Sequence, residues 1–191
     1  MKNKRWEVRL VGQGGQGLGL AGTVLAEAAI EDGNNAVINH FFGAQKRGGP
    51  SQADVIISTD EIDYPKVLQP DVLVIFSEEA FEECHQHLPE HGLVVVDTSH
   101  VRRALGGFPL VTAVPLSKLS EEATGSSLSA NIVALGLVAE RTKMVSRRAL
   151  SQALRKLSPA GGLHANQTAL KRGMEIAESL RTGGGGSGFG V

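Results

Sequence analysis

The chain has 191 residues, with 19 Lys and Arg against 20 Asp and Glu and a single cysteine. This length suits one domain with its own core, and the net charge of −1 argues against electrostatic attraction to nucleic acid or to a membrane. One cysteine excludes an internal disulfide and a self-contained iron–sulfur site, which needs about four cysteines. We expect a cytoplasmic protein, because the basic N-terminus lacks a signal peptide's apolar segment and no apolar run approaches the roughly 20 residues that span a bilayer.

A strand, a glycine-rich loop and a helix form the first predicted unit. The apolar residues 8–11 predict a strand, and residues 18–32 show the apolar spacing of a helix that stops at Gly33. Backbone N–H groups of such a loop can face an anionic ligand, and glycine lets a phosphate or another chain approach closely. The candidate binding residues in the loop are Gly12, Gly14, Gly15, Gln16 and Gly17.

Strands and helices alternate along the rest of the chain. Further strands are predicted at residues 36–39, 53–58, 71–76, 93–96 and 110–114. Helices are predicted at residues 78–88 and 130–140, after the cap Ser146, and at 165–181, with a short helix or turn at 119–124. This order predicts an α/β fold: a Rossmann-like, doubly wound, mostly parallel sheet in a single domain over residues 1–181. Residues 182–191 are mostly glycine and are expected to form a disordered tail.

The glycine spacing is open to three interpretations. Gly12, Gly14 and Gly17 match the dinucleotide-binding pattern between a strand and a helix. That pattern usually has an acidic residue about 20 positions on, where this chain has Asn39 and His40. The loop therefore serves a nicotinamide or flavin cofactor, packs the helix closely on the sheet, or meets a phosphate or a partner subunit. It is not a phosphate loop of the Gly-Lys-Ser/Thr type.

Arg47, Gly48 and Gly49 form a second candidate binding segment. A guanidinium beside two glycines suits a phosphate, a carboxylate or a partner chain. The alternative is an ordinary hairpin or crossover loop with a solvated arginine.

Cys84, His87 and His91 could share a helix face and hold a metal, but the surface end of a helix is the simpler interpretation. The sequence contains neither a nucleophile elbow nor a signature for binding thiamine diphosphate. It therefore suggests a subunit that binds and docks, with no catalytic residue and no metal site of its own.

Three separated motifs resemble the gamma subunit of the 2-oxoacid:ferredoxin oxidoreductases. They are Gly-Gln-Gly-Gly-Gln-Gly at residues 12–17, Phe-Gly-Ala-Gln-Lys-Arg-Gly-Gly at 42–49 and Asn-Ile-Val-Ala-Leu-Gly at 131–136. Phe42 stands where this family usually has tyrosine, and Gln45 stands where it has glutamate. The lost carboxylate could alter a contact to coenzyme A or to a neighbouring subunit.

The resemblance implies a multi-subunit enzyme that decarboxylates a 2-oxoacid, with 2-oxoglutarate favoured, to an acyl-coenzyme A and passes electrons to ferredoxin or a similar acceptor. Thiamine diphosphate, Mg and 4Fe–4S clusters would lie on alpha, beta and ferredoxin-like delta partners, and this chain would bind no cofactor alone. It would contribute to a shared coenzyme A site through the glycine loop, Arg47, Gly48 and Gly49, and Asn131 would tie a buried helix to that loop. The alternatives are a subunit for aromatic 2-oxoacids (phenylglyoxylate or indolepyruvate), a stand-alone NAD(P)-binding reductase, or a scaffolding module.

Overall fold

The computed structural model describes residues 5–43, 49–89, 91–102 and 111–182. Its strands are β1 (Arg5–Gln13), β2 (Asn35–Phe42), β3 (Pro50–Ser58), β4 (Val72–Ile75), β5 (Leu93–Asp97) and β6 (Val111–Val114). Its helices are α1 (Leu18–Glu31), α2 (Glu78–Cys84), α3 (Leu116–Thr124), α4 (Ala130–Thr142), α5 (Arg147–Leu157) and α6 (Leu163–Thr182). The predicted α/β fold is confirmed. The predicted tail at 182–191 lies outside the described residues except for Thr182, which ends α6.

The six strands form one sheet in the order β2-β3-β1-β4-β5-β6. β1, β4, β5 and β6 are parallel neighbours, whereas β3 is antiparallel to both β1 and β2. Five of these strands therefore run in one direction, as predicted for a mostly parallel sheet. The carboxyl ends of β1 and β4 meet the connection between β2 and β3 at one edge, and open α/β sheets bind ligands at such an edge.

The connection between β2 and β3 differs from its predicted form. Sequence predicts strands at 36–39 and 53–58, but β2 continues to Phe42 and β3 begins at Pro50. Phe42 pairs with Ser51, and the Gly43 N–H donates to the Pro50 carbonyl at 2.8 Å. These additional residues owe their strand conformation to pairing across the sheet, which local composition does not reveal. β2 and β3 are therefore consecutive antiparallel strands, and residues 44–48 between them, which include Arg47, lie outside the described residues.

The two faces of the sheet carry different numbers of helices. Val8 and Leu10 point into a large core with α1 and α3–α6, whereas the next residue on β1, Val11, packs in a smaller core with α2. A strand alternates its side chains between faces, so β1 contributes to both cores. α1 follows β1 on one face and α2 follows β4 on the other. The sheet changes its winding direction between these two strands, as in a doubly wound fold.

Helix α4 lies at the centre of the larger core. Each of its residues from Ala130 to Ala139 is buried, as its apolar residues on several faces predict. α4 and α6 meet through glycines: a Cβ added to Gly173 would lie 2.0 Å from the Val133 carbonyl oxygen. The absence of a side chain at Gly173 therefore allows the two backbones to come into contact.

Polar side chains determine where two of the helices begin. The Ser146 hydroxyl accepts a hydrogen bond from the Ala149 N–H at 3.1 Å, which confirms the predicted cap of α5. α3 begins at Leu116, before the predicted residue 119, because the buried Asp97 at the end of β5 accepts hydrogen bonds from the Ser117 N–H and hydroxyl. α2 ends at Cys84 rather than near residue 88, and a 3₁₀ turn follows it.

Within the described ranges, no helix combines the length and apolar character needed to cross a bilayer.

Candidate functional site

The glycine loop joins β1 to α1 through two residues with positive φ. Gly15 has φ of 98° and Gly17 has φ of 70°, values that favour glycine because it has no Cβ. Gly17 is also the residue before α1, and no side chain in the described part of the chain caps that helix end. The first N–H groups of a helix have no partner within it. Those of α1 can therefore serve as donors to an anion, and the helix dipole adds a partial positive charge there.

Gln16 supports the loop from within. Its Oε1 accepts a hydrogen bond from the Gln13 N–H at 2.7 Å, and its Nε2 donates to the Phe76 carbonyl at 3.0 Å. The amide thereby bridges the ends of β1 and β4. A Cβ on Gly12 would lie 2.2 Å from this Oε1, so Gly12 leaves room for the glutamine. Sequence predicts a binding role for Gln16, whereas both ends of its amide are engaged inside the protein.

Asn131 holds the other side of the loop. Its Nδ2 donates to the Gly17 carbonyl at 2.7 Å, and its Oδ1 accepts the Ile132 N–H at 2.9 Å. The residue is 3% exposed, and a Cβ on Gly17 would lie 2.5 Å from Nδ2. The predicted tie between α4 and the glycine loop is therefore present. A direct role of Asn131 in binding stays a prediction.

The structure brings the two glycine-rich segments together. The Gly14 N–H donates to the carbonyl of the buried Gly49 at 2.8 Å, and Gln13 pairs with Pro50 in the adjoining ladder. Gly14 and Gly49 are 35 positions apart in the sequence, yet they lie together at the edge of the sheet. Arg47 and Gly48, the other predicted binding residues of the second segment, lie outside the described residues.

A cleft of about 490 Å³ opens beside this surface on the α2 side of the sheet. We call it the α2 cleft. The end of β1, the adjoining ends of β2 and β3, and α2 form its described walls, which include Val11, Gly12, Phe41, Phe42, Glu79 and Glu83. Phe41 and Phe42 are 53% and 71% exposed, so two aromatic rings stand at the edge of the cleft with much of their surface in water.

Two carboxylates lie among the described lining residues of the α2 cleft. Glu79 and Glu83 contribute to its lining, and the Gln13 side chain donates to Glu79 Oε2 at 3.0 Å. No lysine or arginine is among its described lining residues. The charged side chains among these described lining residues are carboxylates, which repel phosphate groups.

An ion pair lies on the same face of the sheet. Arg9 Nε and Nη2 donate to the two carboxylate oxygens of Asp54, each at 2.8 Å, and the Asp54 side chain is 4% exposed. The hydrogen bond to Asp54 raises the pKa of Arg9. Burial raises the pKa of the nearby Cys84 thiol, so it stays protonated at neutral pH.

Across the described residues, no group of three His, Cys, Asp or Glu side chains is placed to hold a metal ion. The His87 side chain of the considered metal set is outside those residues. Sequence reasoning missed the functional surroundings of the loop: the Arg9–Asp54 pair, the exposed Phe41, and Glu79 and Glu83. Arg9 and Asp54 lie within predicted strands, but only the register pairs them.

Comparison with known proteins identifies the family. The family model described as pyruvate ferredoxin/flavodoxin oxidoreductase matches residues 7–176. The chain belongs to this family. Within it, the chain is a gamma-type subunit of the 2-oxoacid:ferredoxin oxidoreductases, which confirms the resemblance of its three motifs.

Curated relatives span nearly the whole chain. It is 36% identical to 2-oxoglutarate synthase subunit KorC of Methanocaldococcus jannaschii, over 92% of this chain and 96% of the relative. It is 39% identical to the KorC subunit of Methanothermobacter thermautotrophicus, over 90% of this chain and 95% of that subunit. The pyruvate synthase subunit PorC of that organism is 30% identical over 92% of this chain and 97% of that subunit.

Solved structures share the fold. The gamma subunit of a keto/oxoacid ferredoxin oxidoreductase from Geobacter sulfurreducens superposes with a TM-score of 0.80 at 36% identity, covering 92% of this chain and 98% of that one. The 2-oxoglutarate:ferredoxin oxidoreductase of Magnetococcus marinus, solved with 2-oxoglutarate, coenzyme A and succinyl-CoA bound, gives a TM-score of 0.82 at 27% identity. That match covers 93% of this chain but 32% of the other.

Proposed function

We propose that this chain is the gamma subunit of a cytoplasmic 2-oxoglutarate:ferredoxin oxidoreductase and helps to form its coenzyme A site. The KorC relatives support the choice of 2-oxoglutarate. The coenzyme A bound in the Magnetococcus marinus enzyme supports the choice of ligand. Partner alpha, beta and ferredoxin-like delta subunits would carry thiamine diphosphate with Mg and the 4Fe–4S clusters, on which decarboxylation and electron transfer to ferredoxin depend.

One observation carries the role at coenzyme A: the hydrogen bond between the Gly14 N–H and the Gly49 carbonyl. It joins the two glycine-rich segments beside the uncapped N-terminus of α1. Coenzyme A carries phosphate groups, and main-chain donors at such a helix end bind phosphates well. Gly15 has no atom within 4 Å of its missing Cβ position, so the loop offers space for a ligand there.

Each candidate residue has a distinct part in this proposal. Gly15 and Gly17 present backbone to the phosphates, and Arg47, two positions before Gly49 in the sequence, neutralises their charge. Gln16 and Asn131 act one step away from the ligand, because their amides are hydrogen-bonded to the main chain at Gln13, Phe76 and Gly17. Their task is to fix the loop before the ligand arrives, which lowers the entropy lost on binding.

Kinetics of the intact complex test the proposal. The chain is co-expressed with its partner subunits, and the apparent KM values for coenzyme A and for 2-oxoglutarate are measured separately. Arg47→Ala should raise the KM for coenzyme A about 10-fold or more, as expected for the loss of a charge-assisted contact, and leave that for 2-oxoglutarate unchanged. The matched control is Arg148→Ala on the exposed face of α5. An unchanged KM for coenzyme A in Arg47→Ala would remove the arginine from the site.

Substrate and cofactor alternatives are separable in the same preparation. The complex should use 2-oxoglutarate in preference to pyruvate, phenylglyoxylate and indolepyruvate. Preference for an aromatic 2-oxoacid would reassign the substrate but keep the subunit's role. Activity of the purified chain alone with NAD(P)H would overturn the proposal, since it assigns the redox chemistry to other subunits.

A further inference from the structure

We propose that the outer edge of β2 pairs with the same strand of a second copy of this chain, so that the two sheets become continuous across a two-fold axis. The inference goes beyond the proposed function, because it concerns the contact of this subunit with itself and not its role at coenzyme A. The pairing uses residues 36–42, all of which the structure describes.

β2 is the outermost strand at its end of the sheet, and one side of its backbone is unpaired. The Gly43 N–H donates to the Pro50 carbonyl, and hydrogen-bonded pairs alternate with non-hydrogen-bonded pairs along an antiparallel ladder. The main-chain groups of the even-numbered residues therefore point away from β3: those of Ala36, Ile38, His40 and Phe42. In the described part of the chain these groups have no hydrogen-bond partner. Such an edge can bind another strand through main-chain hydrogen bonds.

β2 lacks the features that usually protect an edge strand from pairing, which are short length, proline, charged side chains and bulges. It has eight residues with neither proline nor a charged side chain, and its register with β3 is unbroken. None of its residues is buried, although five of them are apolar: Ala36, Val37, Ile38, Phe41 and Phe42. β6, at the opposite end of the sheet, has only four residues. The chain alone thus leaves a long apolar edge in contact with water.

The sequence of β2 is complementary to itself. With the two-fold axis at Asn39, residues that face one another would lie on the same face of the joined sheet. The facing pairs would be Phe42 with Ala36, Phe41 with Val37, and His40 with Ile38. Aromatic residues opposite aliphatic ones stabilise strand pairing. Moving the axis to Ile38 would instead set Phe41 against Asn35, so the first register is favoured.

Charge favours a second copy as the occupant. Two identical strands bring any charged residue close to its own counterpart, and facing like charges destabilise a strand pair. β2 carries no lysine, arginine, aspartate or glutamate, so this repulsion does not arise.

The same pairing would bring α1 against its counterpart. α1 lies over β2 and β3, because the missing Cβ of Gly22 would be 2.8 Å from an Ile38 side-chain carbon and 3.2 Å from the Ala53 Cβ. Neighbouring strands are about 4.8 Å apart, so the axes of two symmetric α1 helices would be about 10 Å apart, a distance at which helices pack. Ile30 of α1 is 54% exposed, and this contact would remove it from water.

Sedimentation velocity of the full chain over a wide range of concentration tests the inference. The wild-type chain should form dimers. His40→Pro removes a main-chain N–H that points away from β3, and proline is tolerated at such edge positions. It should weaken dimerisation about 10-fold or more, whereas the matched control His40→Ala, which keeps the N–H, should weaken it less. Both variants are checked for a wild-type far-ultraviolet spectrum and melting temperature. Equal dimerisation of the two variants, or a wild-type chain that is monomeric at every concentration, would overturn the inference.

A pair of opposite charges tests the register without proline. Phe41→Glu and Val37→Lys should each weaken dimerisation about 10-fold or more, because each sets a charge against an apolar residue. A mixture of the two variants should recover dimers, since the introduced carboxylate then faces the introduced ammonium. A mixture of Phe41→Glu with Glu122→Lys, which adds a lysine on the exposed side of α3, should not recover them. Absence of recovery in the first mixture would contradict the proposed pairing.

Hydrogen exchange in the assembled complex distinguishes a second copy from another subunit. If the amides of the even-numbered residues of β2 exchange slowly only when partner subunits are bound, and the isolated chain is monomeric, a partner subunit occupies the edge and the inference is wrong. The proposed function would then stand. Failure of the chain to assemble with its partner subunits would refute the proposed function, whereas dimerisation of the isolated chain would still support this pairing.

Discussion

The contact between Gly17 and Asn131 predicts a specific non-additivity between two substitutions. Gly17→Ala introduces a Cβ that would lie 2.5 Å from Asn131 Nδ2, at a residue with φ of 70°. The asparagine would have to move and give up its 2.7 Å hydrogen bond to the Gly17 carbonyl. Asn131→Ala removes the obstructing group and the hydrogen bond together. The second substitution should therefore relieve part of the cost of the first.

The magnitudes follow from these two contributions. A left-handed backbone costs alanine about 1–2 kcal/mol, and a polar group left without its buried hydrogen bond costs about 1–3 kcal/mol. We expect Gly17→Ala alone to lower the free energy of unfolding by about 2–5 kcal/mol, and Asn131→Ala alone by about 1–3 kcal/mol. In the Asn131→Ala background, Gly17→Ala should cost only the backbone contribution of about 1–2 kcal/mol.

The measurement is urea-induced unfolding of the wild-type chain, the two single variants and the double variant. Unfolding is followed by circular dichroism and by the fluorescence of the single tryptophan, Trp6. Gly15→Ala is the matched control: its φ is also positive, at 98°, but its Cβ would meet nothing within 4 Å. Its cost should be the same with and without Asn131. If the losses of unfolding free energy in Gly17→Ala and Asn131→Ala are additive within about 0.5 kcal/mol, the asparagine does not hold the loop as the geometry implies.

Two further predictions concern the packing and the charges of the helical layer. Gly173→Ala would place a Cβ 2.0 Å from the Val133 carbonyl oxygen, so it should destabilise the chain by about 3 kcal/mol or more. Gly19→Ala, whose Cβ would have no contact closer than 3.4 Å, should be tolerated, and equal melting temperatures for the two variants would contradict this packing. Hydrogen bonds from Arg147 and from a neighbouring lysine lower the pKa of Glu140 from 4.5 to about 2. The resulting stabilisation is complete above pH 4.5 and is lost as the pH falls towards 2. Between these pH values, the free energy of unfolding should therefore fall less in Glu140→Gln than in the wild-type chain. Identical pH profiles for the two proteins would argue against the ion pair.

Local sequence patterns were sufficient for the elements and for the glycine loop. The apolar strand, the glycines and the following helix carry their own signals, because strand and helix periodicities and left-handed turns depend on neighbouring residues. The ends of β2 and β3 beyond the predicted strands, residues 40–42 and 50–52, were not predicted. Their strand conformation depends on pairing between Phe42 and Ser51, a contact that neither segment specifies alone.

The roles of individual site residues required the tertiary structure. Sequence predicted Gln16 and Asn131 as binding residues, and for Asn131 it also predicted the tie to the glycine loop. The structure adds the hydrogen bonds from Gln16 to Phe76 and from Asn131 to Gly17, which support the loop, and direct binding by either residue stays a prediction. The described lining of the α2 cleft was invisible in the sequence, because Glu83 and Phe41 come from elements separated along the chain and meet only in the folded sheet.

The sequence by itself determined the α/β fold, the position of the glycine loop and the family, since each depends on short-range periodicity or on motifs that are contiguous in the chain. Only the tertiary structure decided that Gly14 and Gly49 are hydrogen-bonded partners and that the α2 cleft lies beside them. The physical reason is that strand order and register bring together residues distant in sequence, and these are set by the packing of the whole sheet.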